Sequence, residues 1–355
     1  MRIGVFSKFE MVGGSEKRCV ELSNALVRHT SHEAFLFSEG GLPSRLRSAV
    51  LPDVRIYERV FSAPEMKPQE LTALDALLVV NTDSKDFCRS AYWRGESSRH
   101  STVVNLSGVG QLLFLFNFIV SPARHLWELE NLGPRLKIIT ANRKFLDEIG
   151  DQERYHRVRH VPRVTLESPI DPVTVSHVKK PSAAVRIGMY STSNGDKWND
   201  AWPELIRTVN QRCGESRVRW RLMGMPGPLR SRVAEFANVE ARPEHTQEVG
   251  DFLAELDIFA FFSSWKREEA WSRSAAEALM SGCPLLATPR GGNRDQVVSG
   301  NNGLLCKDFP AFVEGICRLV ESEPLRRAMA ANAVARAQAF RTEAVIGRFL
   351  DFLEQ

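Results

Sequence analysis

Short apolar runs alternate with stretches of helical periodicity along the first half of the chain. Residues 15–28 predict a helix, because Cys19, Leu22 and Leu26 fall on one face of it. Apolar runs that predict strands lie at residues 3–7, 34–37, 76–81, 102–106 and 137–140. Several of these runs are apolar throughout, which is typical of a parallel sheet covered by helices on both faces.

Prolines and polar residues interrupt this pattern between Pro162 and Pro181. We interpret this stretch as an interdomain linker; the alternative, one long surface loop within a single domain, is unusual at this length. The α/β pattern then restarts, and the sequence after Asp308 is helical to the end. Strands are predicted at 185–190, 218–224, 258–262 and 285–288, and a helix at 200–212.

We therefore predict an α/β protein with two doubly wound parallel sheets. The expected bounds are 1–165 for an N-terminal domain, 166–184 for the linker, 185–335 for a C-terminal domain and 336–355 for a final helix. Ligands of such sheets bind beyond the carboxyl ends of the strands, so two such domains face to face would enclose a substrate cleft.

Composition narrows the classes of protein only moderately. The 355 residues are 43% hydrophobic and 25% charged, with a formal net charge of +4, which argues against a dedicated nucleic-acid binder but suits an anionic ligand such as a nucleotide diphosphate. None of the six cysteines shows C-x-x-C spacing, so they are expected to be buried thiols of a reducing compartment.

The sequence contains no segment that predicts secretion or a membrane span. Residues 1–6 form a predicted strand without the apolar core of a signal peptide, and the longest apolar run, 112–120, is too short for a bilayer. We expect a cytoplasmic protein. The basic stretch 154–163 predicts a solvated strand and turn; a surface for an anionic acceptor or for the inner face of the membrane, to which the chain would bind peripherally, is the alternative.

The most informative segment for chemistry is 257–306. A buried strand leads into a polar loop that contains Glu269, and a helix that contains Glu277 follows. The N-terminus of a helix presents unpaired N–H groups that favour anions, and carboxylates accept hydrogen bonds from the vicinal hydroxyls of sugars. On spacing alone, an ordinary helix with a solvent-facing Glu277 is an equally good interpretation.

This segment resembles the donor-binding signature of family 4 retaining glycosyltransferases of the GT-B fold. Glu269 and Glu277 have the spacing of the Glu-x7-Glu motif of that family, and residues 277–284 read Glu-Ala-Leu-Met-Ser-Gly-Cys-Pro, close to its Glu-Ala-Met-Ala-x-Gly run. The Gly-Gly pair at 291–292, followed by an aspartate and a valine, and the Asn-Gly-Leu-Leu at 302–305 match its later motifs.

Other parts of the chain extend the resemblance. Gly13 and Gly14 precede Ser-Glu as in the Gly-Gly-Ala-Glu opening of the first helix of the family, and Lys197 resembles the lysine of the pair that holds the diphosphate. The last helix, 336–355, is expected to pack back on the N-terminal domain. The resemblance implies a hexosyl transferase (EC 2.4) that retains anomeric configuration.

Two positions depart from the family pattern. Tyr190 follows Met189 where the family has Gly-Arg, so the diphosphate arginine is missing, and Ser107 stands where a histidine is expected near the sugar. A basic residue elsewhere would have to compensate for the arginine. The sequence offers Lys266, Arg267, Arg273, Arg290 and Arg294.

The resemblance also implies roles for single residues. Glu269 would hold hydroxyls of the transferred sugar and Glu277 those of the ribose, while Lys197, then Arg290 and the N–H groups near Gly14, would stabilise the leaving diphosphate. The expected catalytic residues are Glu269, Lys197 and Ser107, and the expected donor-binding residues are Gly13, Gly14, Lys197, Glu269, Trp271, Ser272, Arg273, Glu277 and Arg290.

No Asp-x-Asp triad, the usual metal-binding element of GT-A transferases, occurs in the chain, so a metal-independent front-face reaction is expected. No cofactor is expected beside the donor, a UDP- or GDP-linked sugar. The acceptor, a glycan, a lipid-linked molecule or a small molecule, stays open. Two alternatives remain: a degenerate GT-B protein that binds a nucleotide or partner without catalysis, and a nicotinamide-dependent oxidoreductase, whose Gly-x-Gly-x-x-Gly fingerprint is not present.

Overall fold

The structure is a computed structural model that describes residues 1–9, 14–60, 73–80, 109–116, 135–175, 177–265 and 268–355. It divides into two compact units. Unit 1 comprises Met1–Pro169 together with Thr342–Gln355, and unit 2 comprises Ile170–Arg341. The predicted linker, 166–184, is therefore shared between the two units rather than standing outside both.

Unit 1 contains a seven-stranded sheet in which each described strand pair is parallel. Its strands are β1 (Arg2–Ser7), β2 (Glu33–Ser38), β3 (Arg55–Tyr57), β4 (Ala76–Val80), β5 (Gln111–Phe116), β6 (Arg135–Thr140) and β7 (Arg163–Thr165). The helices described in this unit before unit 2 begins are α1 (Gly14–His29), α2 (Ser44–Arg47) and α3 (Arg143–Asp151). The strand order β3-β2-β1-β4-β5-β6-β7 is doubly wound, and the direction of winding reverses between β1 and β4.

Unit 2 contains a six-stranded parallel sheet in the order β10-β9-β8-β11-β12-β13. These strands are β8 (Val185–Tyr190), β9 (Val218–Met223), β10 (Val239–Arg242), β11 (Ile258–Phe261), β12 (Leu285–Ala287) and β13 (Gly303–Leu305). Its helices are α4 (Trp202–Cys213), α5 (Gly227–Val233), α6 (Val249–Ala254), α7 (Arg273–Met280), α8 (Asn293–Gln296), α9 (Phe309–Glu321) and α10 (Glu323–Ala337). Winding reverses between β8 and β11.

The last helix, α11 (Thr342–Glu354), belongs to unit 1 although it follows unit 2 in the chain. Ile346 and Phe349 of α11 lie in the same buried cluster as Leu22 and Leu26 of α1. The carbonyl of Leu353 accepts hydrogen bonds from Lys137 and from Gln111 of the sheet, at 3.0 Å each. These buried donors satisfy carbonyl groups that a helix C-terminus leaves without partners.

The predicted α/β class with two doubly wound sheets is confirmed. Helix α1 and strand β8 match their predictions almost to the residue. The sequence did not predict five strands, namely β3, β5, β7, β10 and β13. The predicted strand at 102–106 lies outside the described residues.

The basic stretch 154–163 is not the predicted strand and turn. A 3-10 helix covers Glu153–Val158, and strand β7 begins only at Arg163. The side chains of Tyr155 and Val158 are buried in the core of unit 1. Two buried apolar side chains three residues apart pack a helical turn against the core. The prediction rested on the charged residues between them and did not take this spacing into account.

Candidate functional site

The carboxyl ends of β8 and β11 form the point in unit 2 where the direction of winding reverses. In doubly wound sheets this is where ligands bind. The loop after β8 contains Lys197 and the loop after β11 contains Glu269; the distance from Lys197 Nζ to Glu269 Oε1 is 3.5 Å. The two side chains are only 27% and 13% exposed. The structure thus brings together two residues that the sequence predicted separately.

Local hydrogen bonds fix the backbone of Lys197. The side chain of Asn194 accepts a hydrogen bond from the Asp196 N–H at 3.0 Å and begins the 3-10 turn Gly195–Lys197. The next residue, Trp198, is buried, and its indole N–H donates to the carbonyl of Thr192 at 3.0 Å. The lysine is therefore held between a capped turn and a buried anchor.

A glycine turn after β12 holds the loop that carries Glu269. The Gly292 N–H donates to the carbonyl of Glu269 at 3.0 Å, and the Gly291 N–H donates to Glu268 Oε1 at 3.0 Å. Gly291 has a φ of +49°, and a Cβ on Gly292 would lie 2.9 Å from Trp271 Cα. Only glycines allow the two backbone segments to approach this closely.

Helix α7 begins next to this loop. Ser272 caps it, because its hydroxyl accepts a hydrogen bond from the Ala275 N–H at 3.2 Å. Arg273 is the first helical residue, and its Nε donates to Glu277 Oε1 at 2.8 Å. Glu277 is buried, so the interpretation of this residue as a solvent-facing helix residue is wrong.

The remaining predicted residues are more scattered. Trp271 is buried against Phe340, and its indole N–H makes no hydrogen bond within the described residues. Arg290 is exposed and donates to the carbonyl of Trp265. Arg294 donates to the carbonyl of Pro289 at 2.7 Å. Gly14 is the first residue of α1 in unit 1. Gly13, Ser107, Lys266 and Arg267 lie outside the described residues.

Sequence reasoning missed two carboxylates at this edge of the sheet. Glu268 binds the glycine turn, and Glu244, after β10, accepts from the Ser193 N–H at 3.1 Å and lies 3.3 Å from the Ser193 hydroxyl. Glu268 and Glu269 are adjacent in the sequence, but nothing in the sequence indicates that Glu268 has a structural role of its own. Glu244 could be found only from the order of the strands.

Tyr190 occupies the position of the missing arginine, at the end of β8. Its ring packs edge-on against Phe252 and Phe259, and its hydroxyl is buried without a hydrogen bond in the described part of the chain. An aromatic ring therefore lies where the resemblance had led us to expect a positive charge.

The described ranges contain no group of three or more His, Cys, Asp or Glu side chains placed to hold a metal ion. Among the helices described, none combines the length and the apolar character needed to cross a bilayer.

Comparison with known proteins gives a consistent result. Residues 238–336 match the family model "Glycosyl transferases group 1". The crystal structure of HepE from Anabaena with UDP-glucose is 17% identical and has a TM-score of 0.71, covering 100% of this chain and 99% of its own. A glycosyltransferase from Rickettsia africae ESF-5 is 13% identical, with a TM-score of 0.72 and coverages of 99% and 97%.

WaaG, a glycosyltransferase involved in lipopolysaccharide biosynthesis, has a TM-score of 0.66 at 13% identity, with 99% of both chains covered. The comparison with curated protein sequences gives no match. The structural likenesses show the fold, which is GT-B. The group 1 match lies within unit 2 and contains Glu269 and Glu277, and it identifies this part of the chain as a glycosyltransferase domain.

Proposed function

We propose that this glycosyltransferase moves a hexose-type sugar from a nucleoside diphosphate sugar to an acceptor hydroxyl, with retention of anomeric configuration and without a metal ion. The observation that carries the proposal is the contact of 3.5 Å between Lys197 and Glu269 where the winding of the sheet reverses. A cation suited to a diphosphate and a carboxylate suited to sugar hydroxyls are side by side at the edge where ligands bind.

The pairing defines what a donor must do when it binds. The diphosphate of the donor replaces the Glu269 carboxylate as the partner of Lys197, and hydroxyls of the sugar donate to the released carboxylate. Lys197 then has a charged partner before and after binding, and the Glu269 carboxylate exchanges a cation for hydroxyl donors, so neither half-buried group is left without a hydrogen-bonding partner. The lysine then faces the oxygens on which negative charge develops during reaction.

The adjoining helix supports a place for the nucleotide. Glu277 is buried in α7 and is suited to accept hydrogen bonds from the two ribose hydroxyls. The N-terminus of α7, with Ser272 and Arg273, and the neighbouring Trp271 complete the proposed donor site in unit 2. Structures of HepE from Anabaena contain UDP-glucose, UDP, and UDP with glucose, which supports a UDP-linked donor here.

In the proposed reaction, the bond from the anomeric carbon to the phosphate oxygen breaks, and the acceptor oxygen bonds to the same face of that carbon. The proton of the acceptor hydroxyl passes to the departing phosphate, so no separate base is needed. Lys197 and Arg290 neutralise the charge of the leaving group. Gly13, Gly14 and Ser107 are proposed to serve the same reaction from unit 1.

The proposed acceptor is a glycan, a lipid-linked molecule or a small molecule that carries a free hydroxyl. The basic stretch 154–163 supports an anionic or membrane-bound acceptor, with the protein at the inner face of the membrane. Arg159 and His160 are exposed on this stretch. No nucleic acid is proposed as a partner.

The test combines donor binding with product analysis. UDP-, GDP-, ADP- and dTDP-sugars are screened by thermal shift without divalent metal, and the turnover of any binder is followed by NMR. We expect one nucleotide family to raise the melting temperature, since a ligand of the folded state stabilises it. The first product sugar should keep the α-configuration of an α-linked donor.

Matched variants separate the site from general effects of charge. Glu269→Gln should remove turnover, whereas Glu235→Gln, which breaks the exposed pair with Arg207 in the same unit, should leave turnover unchanged. A β-configured first product would refute retention. Donor binding with no turnover for any tested acceptor or water would instead favour the degenerate alternative.

A further inference from the structure

The ion pair within α7 has an arrangement that helix stability alone disfavours. Arg273 begins the helix and Glu277 lies one turn later, with side chains only 10% and 6% exposed. A cation in the first turn lies at the positive end of the helix dipole, and cation before anion is the weaker order of an i, i+4 pair. Burial adds the cost of removing both charges from water.

Outside the proposed site the chain uses both orders in more exposed pairs. In α10, Glu323 precedes Arg327 and both side chains are more than half exposed, whereas in α3 Lys144 precedes Glu148, with side chains 49% and 23% exposed. What sets the pair of α7 apart is that the unfavourable order is combined with the burial of both charged side chains beside the proposed donor site. Proteins break local rules of stability mainly at functional positions, so the Arg273–Glu277 pair points to a role in function.

We propose that Arg273 is a positioning residue that holds the Glu277 carboxylate ready for the ribose hydroxyls of the donor; the inference rests on the proposed function. An ionised carboxylate has about four acceptor positions on two oxygens. The hydrogen bond of 2.8 Å from Arg273 Nε uses one position of Oε1. This bond fixes the orientation in which the carboxylate would accept hydrogen bonds from two vicinal hydroxyls.

A carboxylate that is already fixed loses little rotamer freedom when the ligand binds. Arg273 therefore increases affinity for the nucleotide without contacting it. The competing role is direct binding of the diphosphate, in which Arg273 replaces the arginine that Tyr190 displaced. Both roles predict weaker donor binding when Arg273 is changed, but they act on different parts of the ligand.

Calorimetry with two pairs of nucleotides distinguishes the roles. The full chain is titrated with UDP and GDP and with their 2′,3′-dideoxy forms, which keep the diphosphate but have no ribose hydroxyls. The wild type should bind the preferred diphosphate roughly tenfold more tightly than its dideoxy form, the scale of coupling between neighbouring polar groups. In Arg273→Leu this ratio should approach one, while the affinity for the dideoxy form stays unchanged.

A double-mutant cycle adds a second criterion. Glu277→Gln should also reduce the ratio, and Arg273→Leu made in that background should cause no further loss, because both changes remove the same interaction. Arg273→Lys keeps the positive charge but not the geometry of the Nε donor, so it should reduce the affinity ratio almost as much as Arg273→Leu. This variant replaces Arg273→Leu in the measurement if the leucine variant folds poorly. Arg327→Leu, in the exposed pair of α10, should bind both ligands like the wild type.

The outcomes separate this inference from the proposed function. If Arg273→Leu weakens the binding of the preferred nucleotide and of its dideoxy form equally, the ratio of the two affinities is preserved. Arg273 then contacts the diphosphate directly, and the positioning role is overturned. The proposed donor site is not affected by this outcome. If the wild type binds neither UDP nor GDP, the proposed nucleotide site fails, and the inference fails with it.

Discussion

The two sheets share a winding scheme but differ in the groups at the carboxyl ends of their strands. In unit 1, four strands end in a serine or a threonine, namely Ser7, Ser38, Thr140 and Thr165. These residues are neighbours in register, Ser7 beside Ser38 and Thr140 beside Thr165. In unit 2, the charged residues of the candidate site lie in the loops beyond the strands or in the helix that follows.

The difference concerns the strand ends only, because unit 1 buries charge elsewhere, for example at Lys137 of β6. Two of the strand-end hydroxyls contact each other, Thr140 and Thr165 at 3.2 Å, and such a contact stabilises a sheet without a buried charge. Loop carboxylates and lysines need a partner and a fixed backbone, which the glycine turn at Gly291 and Gly292 provides. We infer that the charged part of the ligand is bound by side chains of unit 2.

The largest expected effect comes from removing the cation of unit 2. Lys197→Met should lower kcat/KM by roughly 10²- to 10³-fold, the usual cost of losing one group that stabilises a leaving oxyanion. Steady-state kinetics with the donor found in the thermal screen measures it. Lys144→Met removes an exposed lysine of unit 1 that pairs with Glu148, and it should not change the rate. An equal loss of kcat/KM in Lys197→Met and Lys144→Met would show that unit 2 has no special role in binding the charged part of the donor.

The next effect comes from the backbone of the glycine turn. Gly292→Ala places a Cβ against the carbonyl of Ala270, so the loop that carries Glu269 must move. A displacement of about 1 Å costs on the order of 100-fold in rate. Gly347→Ala, in α11 of unit 1, meets no neighbouring atom and should leave the rate unchanged while adding up to about 1 kcal/mol of stability. An active Gly292→Ala variant would show that the turn does not position Glu269.

A smaller effect is expected at the neutral strand ends of unit 1. Thr140→Val removes the hydroxyl that donates to the carbonyl of Asn142 at 3.0 Å. Chemical denaturation should show a loss of about 1 kcal/mol, the usual value of one intramolecular hydrogen bond. Donor affinity should stay at the wild-type value. A weaker donor complex would assign part of the nucleotide site to unit 1.

The smallest expected effect is that of metal removal. Turnover should be the same in excess EDTA as in magnesium, because the proposed site neutralises the diphosphate with side chains rather than with an ion. Initial rates in the two buffers decide this. A rate that falls in EDTA and returns with added magnesium would contradict the metal-independent mechanism.

The sequence predicted the central strands well and the others poorly. Strand β8 is mostly apolar, with Arg186 as its one charged residue, and its pattern is sufficient to locate it. Strands β3 and β10 occupy sheet edges, have three and four residues, and mix charged with apolar positions, so no periodicity marks them. Strand β5 lies within an apolar run that was considered only as a membrane span.

The site was predictable in its members but not in its contacts. Glu269 and Glu277 stand out by their spacing and by their resemblance to a family motif. The contact of Lys197 with Glu269 depends on β8 and β11 being neighbours in the sheet, and single-sequence patterns do not determine strand order. The pairing of Arg273 with Glu277 follows from helical spacing, yet its burial becomes visible only in the structure.

The late position of α11 has a consequence for how the chain matures. Unit 2 is continuous from Ile170 to Arg341, but unit 1 is completed only by α11, which is synthesised after the whole of unit 2. Synthesis usually lets the first domain of a chain fold first. Here unit 2 can complete its folding first, while part of the apolar surface of unit 1 stays uncovered until α11 packs on it. Deleting 342–355 should accordingly harm the distant N-terminal unit more than the unit that immediately precedes the cut.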